Sequence, residues 1–275
     1  MEKNMKFSII VVCLNAGEKL HSTLKSILEQ TETDYEVVIK DGGSTDGSTE
    51  RIVQNEKIRL ITQKDKGIYD AMNQAVGYAG GEYLFFLNCG DCFYDERVLE
   101  TVKEFLVEKE TSGETEKRQP YIFYGNIKEQ LTGALVQSNP EMDDFGCYRN
   151  VPCHQACFYS RELLTERGFD LSYKVRADYE HFLWSYYRAK ALTVYMPVLV
   201  TVYEGGGFSE TAQNRKLSAA EHKKIVGKYM PPAKARRYKW IMLLTLSGLR
   251  TFLARSKVTA GAYNRIKKCL YKRSV

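Results

Sequence analysis

Four short apolar runs in this chain end in residues able to do chemistry. Asn15 closes "FSIIVVCLN", Asp41 closes "YEVVIKD", Asp65-Lys66 trails "IRLITQ", and Asn88 closes "EYLFFLN" before Cys89-Gly90-Asp91. If the runs are neighbouring parallel strands, these ends share one edge, and open α/β sheets bind ligands at that edge. A carboxylate such as Asp41 would accept hydrogen bonds there from a base or a ribose, and Gly42-Gly43 would let the backbone come close. Phosphate charge would call for a metal on an acidic loop, because hard cations prefer carboxylate oxygens. A turn and a helix cap would account for Asp41 alone. Four polar ends at one edge point instead to a site.

The elements that must position these residues are legible in the hydrophobic pattern. "FSIIVVC" is a continuous apolar run, as expected of a strand covered on both faces. "GEKLHSTLKSILEQ" places Leu20, Leu24, Ile27 and Leu28 at helical spacing, and "GIYDAMNQAVGYA" does the same with Ile68, Met72, Ala75 and Val76. "STDGSTERIVQNE" has the Ser, Thr and Asp of a helix start, and a further helix is expected from about 96 to 108. Strands alternating with helices over short connections predict an α/β fold with a doubly wound, mostly parallel sheet. A polar linker, "EKETSGETEKRQP", closes this half near residue 120. Beyond it, "YIFYGNIKEQLTGALVQ" reads as a strand or hairpin, and "SRELLTERGF" and "DYEHFLWSYYRA" read as helices. "LTVYMPVLVTVY" reads as strand, followed by the glycine loop "EGGGFS".

Two nucleotide-binding devices are missing from the string. A dinucleotide fingerprint needs GxGxxG after the first strand, where "LNAGEKL" has a single glycine, and no GxxxxGK[ST] string occurs. No apolar run reaches the roughly 18 residues needed to cross a bilayer, and "MEKNMKFSIIVV" lacks a small-residue cleavage site. The expected location is cytoplasmic. The seven cysteines are odd in number and scattered, which argues against a disulfide framework. Cys89, Cys92, Cys153, His154 and Cys157 raise the question of zinc, but their spacing does not form two tight knuckles, so small buried thiols are expected.

Charge divides the chain. Of its 40 basic and 34 acidic residues, 17 and one respectively lie in 215–275, where the single acid is Glu221. Residues 1–214 therefore carry 23 basic and 33 acidic side chains, a net charge of −10 beside a strongly basic tail.

The stretches "FSIIVVCLNAGEKLHSTLKSILEQ", "VVIKDGGSTDGSTE", "KDKGIYDAMNQAV", "GEYLFFLNCGD" and "ADYEHFL" resemble, in order and spacing, the inverting family 2 glycosyltransferases of the GT-A (Rossmann-like) fold. The likeness is closest to the branch that builds bacterial surface polysaccharides, and it spans roughly residues 6 to 210. It implies a nucleotide-sugar donor, commonly UDP-linked, bound across Asn15, Asp41, Asp65, Lys66, Asn88 and Asp91, with Asp41 against the uracil and Asn88 serving the ribose. The family's Asp-x-Asp metal motif reads here Asn88-Cys89-Gly90-Asp91, so only Asp91 is left to hold Mg²⁺ or Mn²⁺. The family's Glu-Asp pair is matched by Ala177-Asp178, which makes Asp178 the implied general base and Glu180 its rival. His154-Gln155 would border the acceptor, His181 lies one turn from Asp178, and "EGGGFS" would form a lid over the donor.

The resemblance divides the chain into a catalytic domain, 1–214, and a tail, 215–275. Within the first, 1–120 would bind the nucleotide sugar and 121–214 the acceptor. The tail interleaves its basic residues with the Trp and aliphatics of "YKWIMLLTLSGLRTFLARSK", a composition suited to a helix lying on anionic lipid rather than to a nucleic-acid contact. A lipid-linked saccharide acceptor at the inner face of the membrane is the matching expectation, with no nucleic-acid partner. A sugar nucleotidyltransferase would want a glycine-rich, basic signature near the N-terminus, which "CLNAGEKL" lacks. A non-catalytic sugar-nucleotide or saccharide-binding module would have no need of Asp178.

Overall fold

Alternation of side chains across a strand and the helical periodicity of its neighbours determine how this molecule is layered. The computed structural model describes residues 6–111, 119–205 and 211–245. The chain divides into two compact units, Met1–Ile225 and Val226–Val275.

In the first unit, β1 (Phe7–Cys13) lies between β2 (Tyr35–Asp41) and β4 (Tyr83–Phe86), and β3 (Ile58–Thr62) flanks β2, all in parallel. Every residue of β1 is buried, as a strand covered on both faces requires. Its alternate residues Phe7, Ile9, Val11 and Cys13 join one cluster with Leu20, Leu24 and Ile27 of α1 (Glu18–Leu28). The same cluster takes in Val98, Leu99, Val102 and Leu106 of α3 (Val98–Thr111). The helix α2 (Ile68–Val76) packs on β1 and β2 through Met72, Ala75 and Val76, while Ile68 at its start is about one-third exposed and not in the core as expected.

The second half of the sheet is built differently. β5 (Cys92–Phe93), β6 (Tyr121–Glu129), β7 (Leu135–Val136), β8 (Cys157–Ser160) and β9 (Leu192–Tyr203) complete nine described strands. Their order is β3-β2-β1-β4-β8-β6-β9-β5, with β7 on β6. The β4/β8, β6/β8, β6/β7 and β5/β9 pairs are antiparallel, whereas the long β6/β9 ladder is parallel, so parallel pairing still carries most of the sheet. Helices α4 (Asp144–Arg149), α5 (Arg161–Glu166), α6 (Ala177–Tyr187) and the first part of α7 (Ala212–Tyr229) belong to this half, with a 3-10 turn, His154–Ala156, leading into β8.

One expected helix is absent. After β2, residues 44–54 hold no helix, with bends and turns at 46–51 and irregular backbone on either side. Asp46 accepts hydrogen bonds from the Ser48 backbone N–H and hydroxyl, and Glu50 and Ile52 donate only three residues back, to Gly47 and Thr49. Short polar side chains bonding their own backbone compete with a helical ladder, and here they prevail.

In the second unit, α8 (Pro232–Leu244) exposes Trp240, Leu243 and Leu244. The rest of the expected basic tail, 246–275, lies outside the described residues, as do 206–209 of the expected glycine lid. Among the described residues no helix is long and apolar enough to cross a membrane.

Candidate active site

The parallel register of β1 on β2 sets Cys13 beside Asp41, so the loops leaving both strands meet. Asn15 sits in the left-handed backbone region, φ 50°, which non-glycine residues seldom occupy. Its Oδ1 accepts the Thr45 N–H at 2.9 Å, and its own N–H donates to Ser44 Oγ at 2.8 Å. Asp41, 1% exposed, turns its carboxylate into this loop, where Oδ1 accepts the Ser44 hydroxyl at 2.6 Å and the Ser44 N–H at 3.0 Å. Asp41 thus shapes the glycine turn itself.

A lysine buried in β2 ties the third strand end into the same cluster. Lys40 is fully buried, and its Nζ donates to the carbonyls of Asp41 and Gln63 and, at 3.1 Å, to the Asp65 carboxylate. A Cβ on Gly42 would lie 2.8 Å from an Asp65 carboxylate oxygen, so only glycine admits Asp65 this close without a shift. Lys66 is exposed, and its backbone N–H is held by Asp70 at 2.8 Å. Asn15, Asp41 and Asp65 therefore converge, while Lys66 stands at the rim.

The loop after β4 is pinned from α1. Thr23, fully buried, accepts the Gly90 N–H at 2.9 Å and donates to the Asp91 carbonyl at 2.8 Å. Asp91 is 3% exposed, with Oδ1 accepting the Glu204 N–H at 2.9 Å and Oδ2 the Gln155 side-chain amide at 3.0 Å. Burial raises its pKa despite these bonds. Gln155 is itself buried, so the structure sets it against Asp91 rather than at an open face.

A divalent cation needs about six or more oxygen ligands, several of them from carboxylates or phosphates. Asp91 has both oxygens already engaged, and Glu204 is paired with Lys19 at 2.7 Å. Among the described residues no three His, Cys, Asp or Glu side chains are grouped to hold a metal, zinc included, and the six described cysteines are free thiols. The side chains present do not fit a metal centre built by the protein, and no step below runs through one.

Asp178 stands at the start of α6, and 28% of its side chain remains open to solvent. The Tyr69 hydroxyl of α2 lies 2.9 Å from its Oδ1, and His154 Nδ1 lies 3.3 Å from its Oδ2. Burial pushes the pKa of this carboxyl up. The hydrogen bond from His154, its charge once the ring is protonated, the Tyr179 backbone N–H and Tyr69 outweigh that effect, and the pKa lies below the usual aspartate value. The side chain is thus held as a carboxylate with room for a hydroxyl to approach.

The rival groups on α6 are committed elsewhere. Glu180 is fully buried and takes Arg167 Nη2 at 2.7 Å. His181 is also buried, its Nε2 2.9 Å from the Arg167 carbonyl, and burial lowers its pKa to about 4. The backbone just before Asp178 is clasped from α7, where the carboxylate of Glu221 accepts the N–H groups of Lys174, Val175 and Arg176 at 2.8 to 3.0 Å. An anion at a helix start also complements the helix dipole.

Matching with known families covers residues 8–167, under the description Glycosyl transferase family 2. The chain belongs to this family. As a glycosyltransferase, it is 36% identical over 218 residues to the PGL/p-HBAD biosynthesis glycosyltransferase of Mycobacterium tuberculosis, an alignment covering 77% of this chain and 82% of that one. Among solved structures it is similar to residues 1–349 of S. aureus TarS in complex with UDP-GlcNAc. The TM-score is 0.63 at 19% identity, over 85% of this chain and 70% of that one. The mannosyltransferase PcManGT of Pyrobaculum calidifontis, in complex with GDP-Man and Mn²⁺, matches at TM-score 0.62 and 16% identity, over 98% of this chain and 81% of that one. At such identities these two likenesses speak for the fold, which is GT-A.

Three residues around this glycosyltransferase site escape a reading of the sequence for function. Lys40 left a signal, a charge inside an otherwise apolar strand. Glu221 left one too, as the lone acid in a basic stretch. Tyr69 left none, because an aromatic at a helix start reads as packing until the fold brings Asp178 to it, 109 residues away in sequence.

Proposed function

We propose that this glycosyltransferase moves a sugar from a nucleotide-sugar donor, a UDP-sugar, to a saccharide or lipid-linked saccharide acceptor with inversion, in the making of a cell-surface polysaccharide. The observation that carries the reading is Asp178, an ionised, partly open carboxylate held by Tyr69 and His154. In a single displacement the acceptor oxygen forms its bond to the anomeric carbon as the bond from that carbon to the diphosphate oxygen breaks. The nucleoside diphosphate leaves with the electron pair, and the hydroxyl proton passes to Asp178. The donor lies along the cluster of Asn15, Asp41 and Asp65 and reaches toward Asn88 and Asp91, with Lys66 at the rim. Support for such a donor comes from the two fold neighbours, one complexed with UDP-GlcNAc and the other with GDP-Man. His154 and Gln155 would join the acceptor side to the strand-four loop, through Asn88 and Asp91 respectively.

We assign the basic tail to an anionic membrane surface, so that the enzyme works peripherally at the inner leaflet, where a lipid-linked acceptor would lie. Exposed Trp240, Leu243 and Leu244 beside Arg236, Arg237 and Lys239 support this reading.

The test is a panel of UDP-, GDP- and dTDP-sugars, assayed for binding and slow hydrolysis with Mg²⁺, Mn²⁺ or EDTA. One UDP-sugar is expected to bind and be hydrolysed by the wild type, with the rate falling roughly 10²- to 10⁴-fold in Asp178→Asn. Binding of no nucleotide sugar under any condition would sink the donor reading. Undiminished turnover in Asp178→Asn would sink the assignment of the base.

A further inference from the structure

Four elements meet at the base. The Asn88 side chain, just past β4, places Nδ2 3.3 Å from His154 Nε2. The other ring nitrogen, Nδ1, is 3.3 Å from Asp178 Oδ2, and Tyr69 Oη is 2.9 Å from Oδ1. An amide NH₂ can only donate, so Nε2 facing it is the unprotonated nitrogen, and the ring proton sits on Nδ1. In this orientation Asn88 Oδ1 is buried without a partner; turning the amide over would give that oxygen the Nε2–H of a doubly protonated ring, and Nδ1 would still donate to Asp178. Which nitrogen of a histidine carries the proton is decided by what the other one meets.

This arrangement separates two roles that a His-Asp pair can play. A histidine acting as base needs a free unprotonated nitrogen, and here Nε2 is occupied by Asn88. We propose that His154 is a positioning residue: Asn88 sets its tautomer, and its Nδ1–H, opposite the Tyr69 hydroxyl, holds the Asp178 carboxylate in the orientation that receives the acceptor proton. The inference rests on Asp178 being the base. It moves His154 from contact with the acceptor to control of the group that deprotonates it, and it links the loop after β4 to that group.

Among the titratable groups near the carboxylate, Asp91, whose pKa burial raises and which feels His154, shares the acidic window, and the others leave it. Cys153, Cys157 and Tyr159 lie within its field, and burial raises the pKa of all three, that of Cys153 to about 12. Tyr69 is likewise raised, by burial first and then by Asp178. An acidic limb in the rate profile therefore reports Asp178 and Asp91 together, and its shift in Tyr69→Phe assigns it to Asp178, which Tyr69 touches.

The first arm of the test needs no substrate. Imidazole ¹⁵N spectra of the whole protein should show His154 protonated on Nδ1 and bare on Nε2. His181 and His222, whose Nε2 atoms face carbonyls, should show the opposite tautomer. The second arm is hydrolysis of the UDP-sugar that the wild type turns over. An asparagine Nδ2 falls where His154 Nδ1 stands, and a glutamine Nε2 falls where Nε2 stands. His154→Ala and His154→Gln should lose roughly ten- to a hundredfold in kcat, with the acid limb of kcat/KM moved to higher pH and donor KM unchanged. His154→Asn should recover most of the rate. Tyr69→Phe, which keeps the ring packed on Phe169, should shift the limb the same way and guards against a His154 variant that does not fold. An Nε2-protonated His154, or His154→Asn as slow as His154→Ala with both binding donor normally, would overturn the proposal. Unchanged hydrolysis kinetics and an unmoved acid limb in His154→Ala would return His154 to acceptor contact. Full activity in Asp178→Asn would instead remove the base reading beneath it.

Discussion

A buried histidine and a buried lysine show how single residues set the conditions this protein tolerates. His181 has no exposure, and its Nδ1 has no partner while Nε2 faces two carbonyls. Its pKa falls from 6.5 to about 4 in the folded protein because burial penalises the cation. The unfolded chain therefore binds more protons between those values. The neutral-ring contribution is whole above about pH 6.5 and is lost as pH falls toward 4, a change on the order of 3 kcal/mol. Melting temperature followed from pH 7 to 4 should drop steeply, and His181→Phe should flatten that part of the curve. If the variant keeps the full slope, another group is responsible. Lys40 is the opposite case, a buried cation whose three acceptors all belong to the strand-end cluster. Lys40→Met leaves Asp65 uncompensated at 10% side-chain exposure. Removing one member of a buried pair costs roughly 3–5 kcal/mol, so denaturant unfolding should show a loss of that size together with weaker donor binding. A neutral result would mean that water reaches Asp65 freely.

At the scale of elements, α7 and α2 act as braces between parts of the catalytic unit that are far apart in sequence. Asn73 of α2 exchanges two hydrogen bonds with the Phe169 backbone, and Tyr69 one turn earlier reaches Asp178. Glu221 of α7 takes three backbone N–H groups immediately before Asp178. Glu221→Ala would leave those donors without their anion, at a cost of about 2–3 kcal/mol, and should lower kcat more than donor affinity. Glu221→Gln, which keeps an acceptor oxygen, should fall between the two. Equal donor turnover in all three proteins would show that the loop holds its shape unaided. The same contacts bear on the tail. Its expected start at 215 lies within α7, whose Glu221 clasps the backbone before Asp178, and the compact unit runs to Ile225. A chain ending at 214 should therefore be inactive, and its activity matching the full chain would contradict this account.

For the molecule as a whole, charge asymmetry is the feature with the longest reach. Residues 1–214 carry a net charge of −10, and the tail is almost purely basic. Sedimentation with vesicles should show binding to membranes rich in anionic lipid and little to neutral ones. Raising salt from 0.1 to 0.5 M should release the protein, as screening shortens the range of its charges. A chain ending at 245 should bind less, because it lacks eight of the 17 tail cations. Equal binding to neutral vesicles would mean that the apolar side chains alone carry the attachment.

How much of this was legible in the string differs from element to element. Apolar runs located β1, β2, β3 and β4, and the register of polar ends anticipated that Asn15, Asp41 and Asp65 would meet. Both signals are local, since strand burial and helix periodicity are written in consecutive residues. The turn at 44–54 was misread as a helix because Ser, Thr and Asp serve a helix start and a tight turn equally well, and the choice depended on which backbone groups Asp46 could reach. Antiparallel pairing in the second half followed from where β8 returns, which no run of residues encodes. The sequence by itself determined the fold class, the family and the identity of the carboxylates. Only the tertiary structure decided which carboxylate is open and which is spent. Asp178 and Glu180 are two residues apart on one helix, and the difference in their surroundings comes from Tyr69, His154 and Arg167, brought near by packing.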